Sequence, residues 1–129
     1  MKKQYYFLTI VFLLFMYGLS SCTYDNVVEP APPSPTDTIS FSQQIEPIFN
    51  TGNNCTSCHT TGVQAPDLTT GNAYTSIMNM NLVNIASPET SLIYWHADPA
   101  NTSSHTWKKY TPTQAALVLL WIQQGAKDN

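Results

Sequence analysis

Cys55-Thr56-Ser57-Cys58-His59 is a C-x-x-C-H pentapeptide. Two cysteines three positions apart can each add across one vinyl group of a haem, forming two thioether bonds. The histidine directly after them is then held against the iron as its proximal axial ligand. In a thioredoxin-like C-x-x-C motif the residue after the second cysteine has no such role, so the His59 position is the discriminating feature. Cys55, Cys58 and His59 therefore predict one covalent haem c.

The start of the chain is consistent with that chemistry. Lys2 and Lys3 precede an apolar run over residues 5–19, shorter than the roughly 20 residues of a membrane span. The run ends in Leu19-Ser20-Ser21-Cys22, which resembles the lipobox of bacterial lipoproteins. By that resemblance residues 1–21 are a signal peptide, and Cys22 is lipidated and becomes the first residue. The alternatives are an ordinary signal peptide or an uncleaved anchor. The chain has 3 cysteines; with Cys22 on lipid and two on haem, none remains for a disulfide framework. The expected location is the cell envelope, exported and anchored to a membrane by lipid.

Residues 22–37 read as the lipidated cysteine and a tether. They hold Pro30, Pro32, Pro33 and Pro35 with Asp25, Glu29 and Asp37, and have little to bury. Without the leader, Lys108, Lys109 and Lys127 stand against all 8 acids, a net charge of −5, and the chain has no arginine. Nucleic acid is excluded as a partner on that ground, since phosphate binding needs clustered cations. Long-range steering should favour basic or neutral redox partners.

Residues 38–129 form the folded domain, small for a core of side chains alone. A first helix should begin near Ser40, with Gln43 at the capping-box position and Phe41, Ile45, Ile48 and Phe49 on one face. Pro47 should kink or shorten it, and Asn50 should open a turn into Cys55. A short helix is predicted from Asn72 to about Asn79. Another should start at Ser87-Pro88-Glu89 and run to His96, before a loop over residues 98–110. Thr111-Pro112-Thr113-Gln114 then marks the start of a last helix carrying Ala115, Val118, Leu119 and Ile122, stopped by Gly125. Leu117, Leu120 and Trp121 widen its stripe, as in a helix buried on more than one side.

With these elements in place, the domain resembles the single-haem, class I-type cytochrome c domains of bacterial lipoproteins. The resemblance rests on Ile45-Glu46-Pro47-Ile48-Phe49 before the pentapeptide, Ala65-Pro66-Asp67-Leu68 after it, and Trp121-Ile122-Gln123-Gln124-Gly125-Ala126 at the end. It implies an all-α, cytochrome c-like fold, with N- and C-terminal helices packed around the covalent haem and Phe49 and Trp121 near their crossing. It also implies that the Pro66 carbonyl accepts the Nδ1 hydrogen of His59, which orients the ring and strengthens it as a donor. Many relatives carry a Met-Pro in the loop before the final helix. Here that loop has no methionine, and His105 occupies the region of the distal ligand. His105 is the first candidate for the sixth iron ligand, with Met80, Met78, His96 or an open position as alternatives.

A closed iron implies a lipid-anchored carrier of single electrons. An open or exchangeable iron implies a haem enzyme or gas sensor. A zinc site built on Cys55, Cys58 and His59 is the remaining metal reading, weakened by the adjacency of Cys58 and His59. No nucleophile elbow or phosphate loop supports hydrolytic or transferase chemistry. Tyr74, Tyr94, Trp95, Trp107 and Tyr110 read as pocket packing and loop anchors.

Overall fold

The computed structural model describes residues 31–52 and 55–129. Among these residues every regular element is helical and no strand forms, so the all-α expectation holds. The leader over 1–21, Cys22 and the tether up to residue 30 lie outside the described residues, as do Asn53 and Asn54. Residues 31–37, expected to be the last part of a tether, are irregular and largely exposed. Among the described residues no helix is long and apolar enough to cross a membrane.

The first helical stretch, α1, comprises Phe41–Ile45 and Ile48–Gly52, both wound as π-helix around Glu46 and Pro47. Ser40 caps it, accepting the Gln43 amide at 3.3 Å. The reciprocal bond comes from Gln44, not Gln43: Gln44 Oε1 accepts the Ser40 N–H at 2.9 Å. A π-turn holds an extra residue, seen in the Glu46 N–H donating to the Phe41 carbonyl five positions back. That wider winding carries the returning side chain one position further along. It also accommodates Pro47, which has no N–H and crowds the carbonyl four residues before it. The helix is therefore not cut short. It runs to Gly52, through the turn predicted from Asn50. Asn50 Nδ2 and Thr51 Oγ1 donate to the carbonyls of Glu46 and Pro47 at 3.1 and 2.7 Å.

Helix α2 spans Ala73–Asn79 as expected, although Asn72 makes no side-chain cap bond and instead donates to Asp67 and Thr69. The helix predicted from Ser87 to His96 is divided. Pro88–Thr90 form a single 3-10 turn, Ser91 is extended, and α3 covers only Leu92–Trp95. The cause is Ser91 itself, which is buried, with its hydroxyl accepting the Asn84 N–H at 2.9 Å. An extended backbone at Ser91 brings that hydroxyl inward, and a continuous helix would not. Ser87 makes no side-chain cap bond.

Helix α4, Pro112–Gln123, carries the complete capping box between Thr111 and Gln114 and ends before Gly125, whose φ of +93° suits a residue without a Cβ. It buries Ala115, Val118, Trp121 and Ile122, packs against the Phe41–Ile45 part of α1, and shares one core cluster with Ile45, Ile48 and Phe49. The ring that meets Trp121 belongs to Phe41, at 5.3 Å between centroids, with Tyr74 edge-on at 6.5 Å. Phe49, expected near this crossing, is fully buried in the same core cluster as Trp121 and walls a cavity described below. Among the described residues no buried side-chain nitrogen or oxygen lacks a hydrogen-bond partner.

The chain leading into α1 is clamped by the end of the domain. Gln124 accepts the Ile39 N–H at 3.0 Å and donates to the Asp37 carbonyl at 2.6 Å. Asn129 accepts the Phe41 N–H through Oδ1 at 2.9 Å. Gln124→Ala removes both bonds made by one side chain and should lower unfolding free energy by about 1–2 kcal/mol. Urea denaturation of the two proteins measures it.

Candidate functional site

Cys55–Ser57 form a 3-10 turn, closed by the amides of Cys58 and His59 donating to the Cys55 carbonyl at 3.1 and 2.9 Å. That turn follows α1 and gathers the two thiols and the imidazole into one short segment. Both cysteines are free thiols, Cys55 half-buried against the core and Cys58 exposed. Burial pushes the Cys55 thiol above its ordinary pKa, and the Lys108 ammonium and a backbone N–H partly oppose this.

His59 is oriented by the loop that follows it. Its Nδ1 lies 3.2 Å from the Pro66 carbonyl, and its own carbonyl accepts the Leu68 N–H at 3.0 Å. With Nδ1 bonded to that carbonyl as a donor, Nε2 carries the free lone pair. Asp67 holds this loop in shape. Its carboxylate accepts Thr61 Oγ1 and Thr69 Oγ1, both at 2.6 Å, the Thr69 N–H at 3.0 Å and Asn72 Nδ2 at 3.2 Å. Its amide donates to Ser76 Oγ at 2.8 Å, tying the loop to α2.

The hydroxyls of Thr61 and Thr69 hold the Asp67 carboxyl below its ordinary pKa. A carboxylate depressed in the folded state adds stability above its unfolded pKa and loses it as pH falls through the folded value. Asp67→Asn should therefore be less stable than the parent at pH 7, and the gap should close below about pH 4 as the parent protonates. Paired melts from pH 7 to pH 2 check this. A gap that does not narrow at all between pH 5 and pH 2 would show that charge is not the cause.

Beside the pentapeptide lies a mostly apolar cavity of about 530 Å³. Cys55, Cys58 and His59 line it together with His96, His105 and Tyr110. The rings of His59 and His105 have centroids 5.8 Å apart and planes inclined by 20°. With metal–nitrogen bonds of about 2 Å on each side, two imidazoles facing one metal have ring centres about 6 Å apart. The cavity volume also falls within the range of about 300–1,000 Å³ typical of cofactor sites. The donor set thus fits a haem: two thiols at one wall, an oriented imidazole beside them, and a second imidazole at the right separation. Among the described residues no three His, Cys, Asp or Glu side chains are grouped to hold a bare metal ion.

The candidates for the sixth position divide on geometry. His105 has the separation above and stands in the left-handed backbone region at φ 48°. Burial, then the charges of His59, His96 and Lys109, lower its pKa, which favours the neutral form that binds metals. His96 also lines the cavity, its ring 6.1 Å from that of His105 and its Nδ1 2.6 Å from Ser104 Oγ. Met80 reaches the cavity wall while 43% exposed, whereas Met78 packs on the core. Trp107 stacks on His105 at 5.5 Å and is 77% exposed.

Three contributors were not assigned a particular bond by sequence reasoning. Tyr110 is buried, with its hydroxyl donating to the Ile93 carbonyl at 2.9 Å and its amide to the Ala97 carbonyl at 2.8 Å. Burial pushes its phenol pKa far up. Lys109 and Ser104 also line the cavity, and no local sequence signal marks a loop lysine or serine for that role. Lys108 and Lys109 both stand at this one cavity, so the local charge differs in sign from the net charge of the chain. No protein-family model, curated protein or solved structure matches the chain.

Proposed function

We propose that this chain is a monohaem c-type cytochrome, an electron carrier rather than an enzyme, exported to the cell envelope and anchored to a membrane through lipid on Cys22. The observation that carries this reading is an apolar cavity lined jointly by both thiols of the C-x-x-C-H motif and by His59 and His105. When bound, haem supplies a one-electron couple that no side chain here offers.

The chain's own residues supply attachment, orientation and exclusion of water. Cys55 and Cys58 are the thioether donors. His59, oriented by the Pro66 carbonyl, presents Nε2 as the proximal donor. His105 presents the distal imidazole. Phe49, Leu68 and Ile93 supply buried apolar wall, keeping water from the site and favouring electron exchange over chemistry on a bound substrate. The lipid and tether would confine the domain near membrane partners and raise its effective concentration there. Those partners are redox proteins.

The test is an optical and paramagnetic-resonance spectrum of the protein expressed with its leader in a host that matures c-type cytochromes. Red protein that keeps its colour through acid–acetone extraction, with a low-spin spectrum and weak response to carbon monoxide, is expected. Colourless protein overturns the haem assignment. A high-spin oxidised spectrum with rapid carbon monoxide binding on reduction transfers the reading to a haem enzyme or gas sensor.

A further inference from the structure

We propose that Lys109 is a positioning residue for His105, its ammonium fixing the loop that brings this imidazole opposite His59. The inference rests on the coordination described under the proposed function and assigns a cause to it.

His105 lies within residues 98–110, which contain no helix or strand. Such a segment has much conformational freedom to lose on ordering. Its backbone at His105 is in the left-handed region, disfavoured for residues with a Cβ and retained only where the surroundings enforce it. The enforcing contacts converge on Lys109. Its Nζ donates to the His96 carbonyl at 2.9 Å and to the Ser104 carbonyl. The first acceptor caps the end of α3, and the second immediately precedes His105. One ammonium therefore ties the start of the loop to the peptide next to the ligand.

The remaining bonds close the same loop around that point. The Lys108 amide donates to the His105 carbonyl at 3.0 Å, and the Tyr110 amide to the Ala97 carbonyl at 2.8 Å. His96 Nδ1 and Ser104 Oγ lie 2.6 Å apart, a second link between the same two ends. His96 is thereby a buttress of the loop. An ammonium has three donors and no acceptor, and a part-buried one is stable only when oxygens face it. Lys109 meets that need through backbone carbonyls, which hold position better than side-chain acceptors.

The experiment compares the holoprotein with Lys109→Met, Lys109→Arg and Lys109→Ala by optical spectrum, by carbon monoxide binding to the reduced form, and by thermal melting. Lys109→Met is expected to show a high-spin fraction and to bind carbon monoxide faster by about tenfold or more, the ratio that follows from losing one charge-assisted hydrogen bond. Lys109→Arg, which can donate to both carbonyls, should restore the parent spectrum. A Lys109→Met protein with the parent spectrum and carbon monoxide rate overturns the inference, even if its melting temperature falls. Should Lys109→Met not accumulate, Lys109→Ala, which also lacks a side-chain donor, carries the same comparison, and an unchanged spectrum in it is equally decisive. A parent protein that is colourless or already high-spin overturns the coordination reading itself, and Lys109 falls with it.

Discussion

Trp121→Ala should lower unfolding free energy by about 3–5 kcal/mol, the range for truncating a large buried aromatic side chain. Trp121 is 1% exposed, so almost all of its surface is removed from water on folding. Three separate contributions depend on it. The side chain fills the space between α1 and α4, and alanine would leave a cavity there. Its ring also makes a tilted contact with Phe41 and an edge contact with Tyr74, a kind of pair that adds about 0.5–1.5 kcal/mol beyond area. Finally, its Nε1 donates to the Lys127 carbonyl at 2.9 Å, tying the end of the chain to the helix. Total stability for a domain of this size is about 5–13 kcal/mol at 0.05–0.15 kcal/mol per residue. The variant should therefore be close to unfolding. Trp121→Phe keeps the ring contacts, loses the hydrogen bond and part of the volume, and should fall between the two. Urea denaturation of the apoproteins orders the three; a Trp121→Ala loss below about 1 kcal/mol would show that the α1–α4 seam is not the centre of the core.

The parts of the fold that were legible in the sequence are those specified within a few residues. Helix α4 has its cap, its N1 proline and its stopping glycine within one contiguous stretch, and each acts on the nearest backbone groups. The two departures in regular structure have tertiary causes. The π-winding of α1 accommodates Pro47 while keeping Ile45, Ile48 and Phe49 buried together, a compromise between local sterics and packing. The break at Ser91 exists because a hydroxyl is needed inside, beside Asn84, which the Ser87-Pro88-Glu89 start signal cannot encode. The site divides in the same way. The pentapeptide names its own residues, and the 3-10 turn needs only neighbours. His105, Lys109 and Ser104 come together through carbonyls of the loop itself, and a carbonyl leaves no mark on residue identity. Net charge was the least informative guide to the cavity, because both lysines of one dipeptide stand at it.

If His59 and His105 hold a haem as proposed, His59→Ala and His105→Ala should differ in kind, with a large spectroscopic contrast between them. His59 adjoins Cys58 within a closed turn, and its ring is oriented by the Pro66 carbonyl. Its removal leaves no imidazole on that segment, since the other two histidines stand at the end of α3 and in the irregular segment 98–110. His59→Ala should therefore yield little holoprotein, and what forms should lack the parent low-spin spectrum. His105→Ala leaves the thiols, His59 and its loop in place. It should give red protein in good yield with a high-spin oxidised spectrum and rapid carbon monoxide binding when reduced. Added imidazole, able to enter the space the side chain vacates, should restore the low-spin form in His105→Ala at millimolar concentration, about the affinity of a ligand that gains little beyond one bond. The same addition should not recover the holoprotein yield of His59→Ala. An unchanged low-spin spectrum in His105→Ala would remove this residue as the distal ligand. Because His96 and Met80 also line the cavity, His96→Ala and Met80→Ala placed on that background would then identify which of them closes the iron.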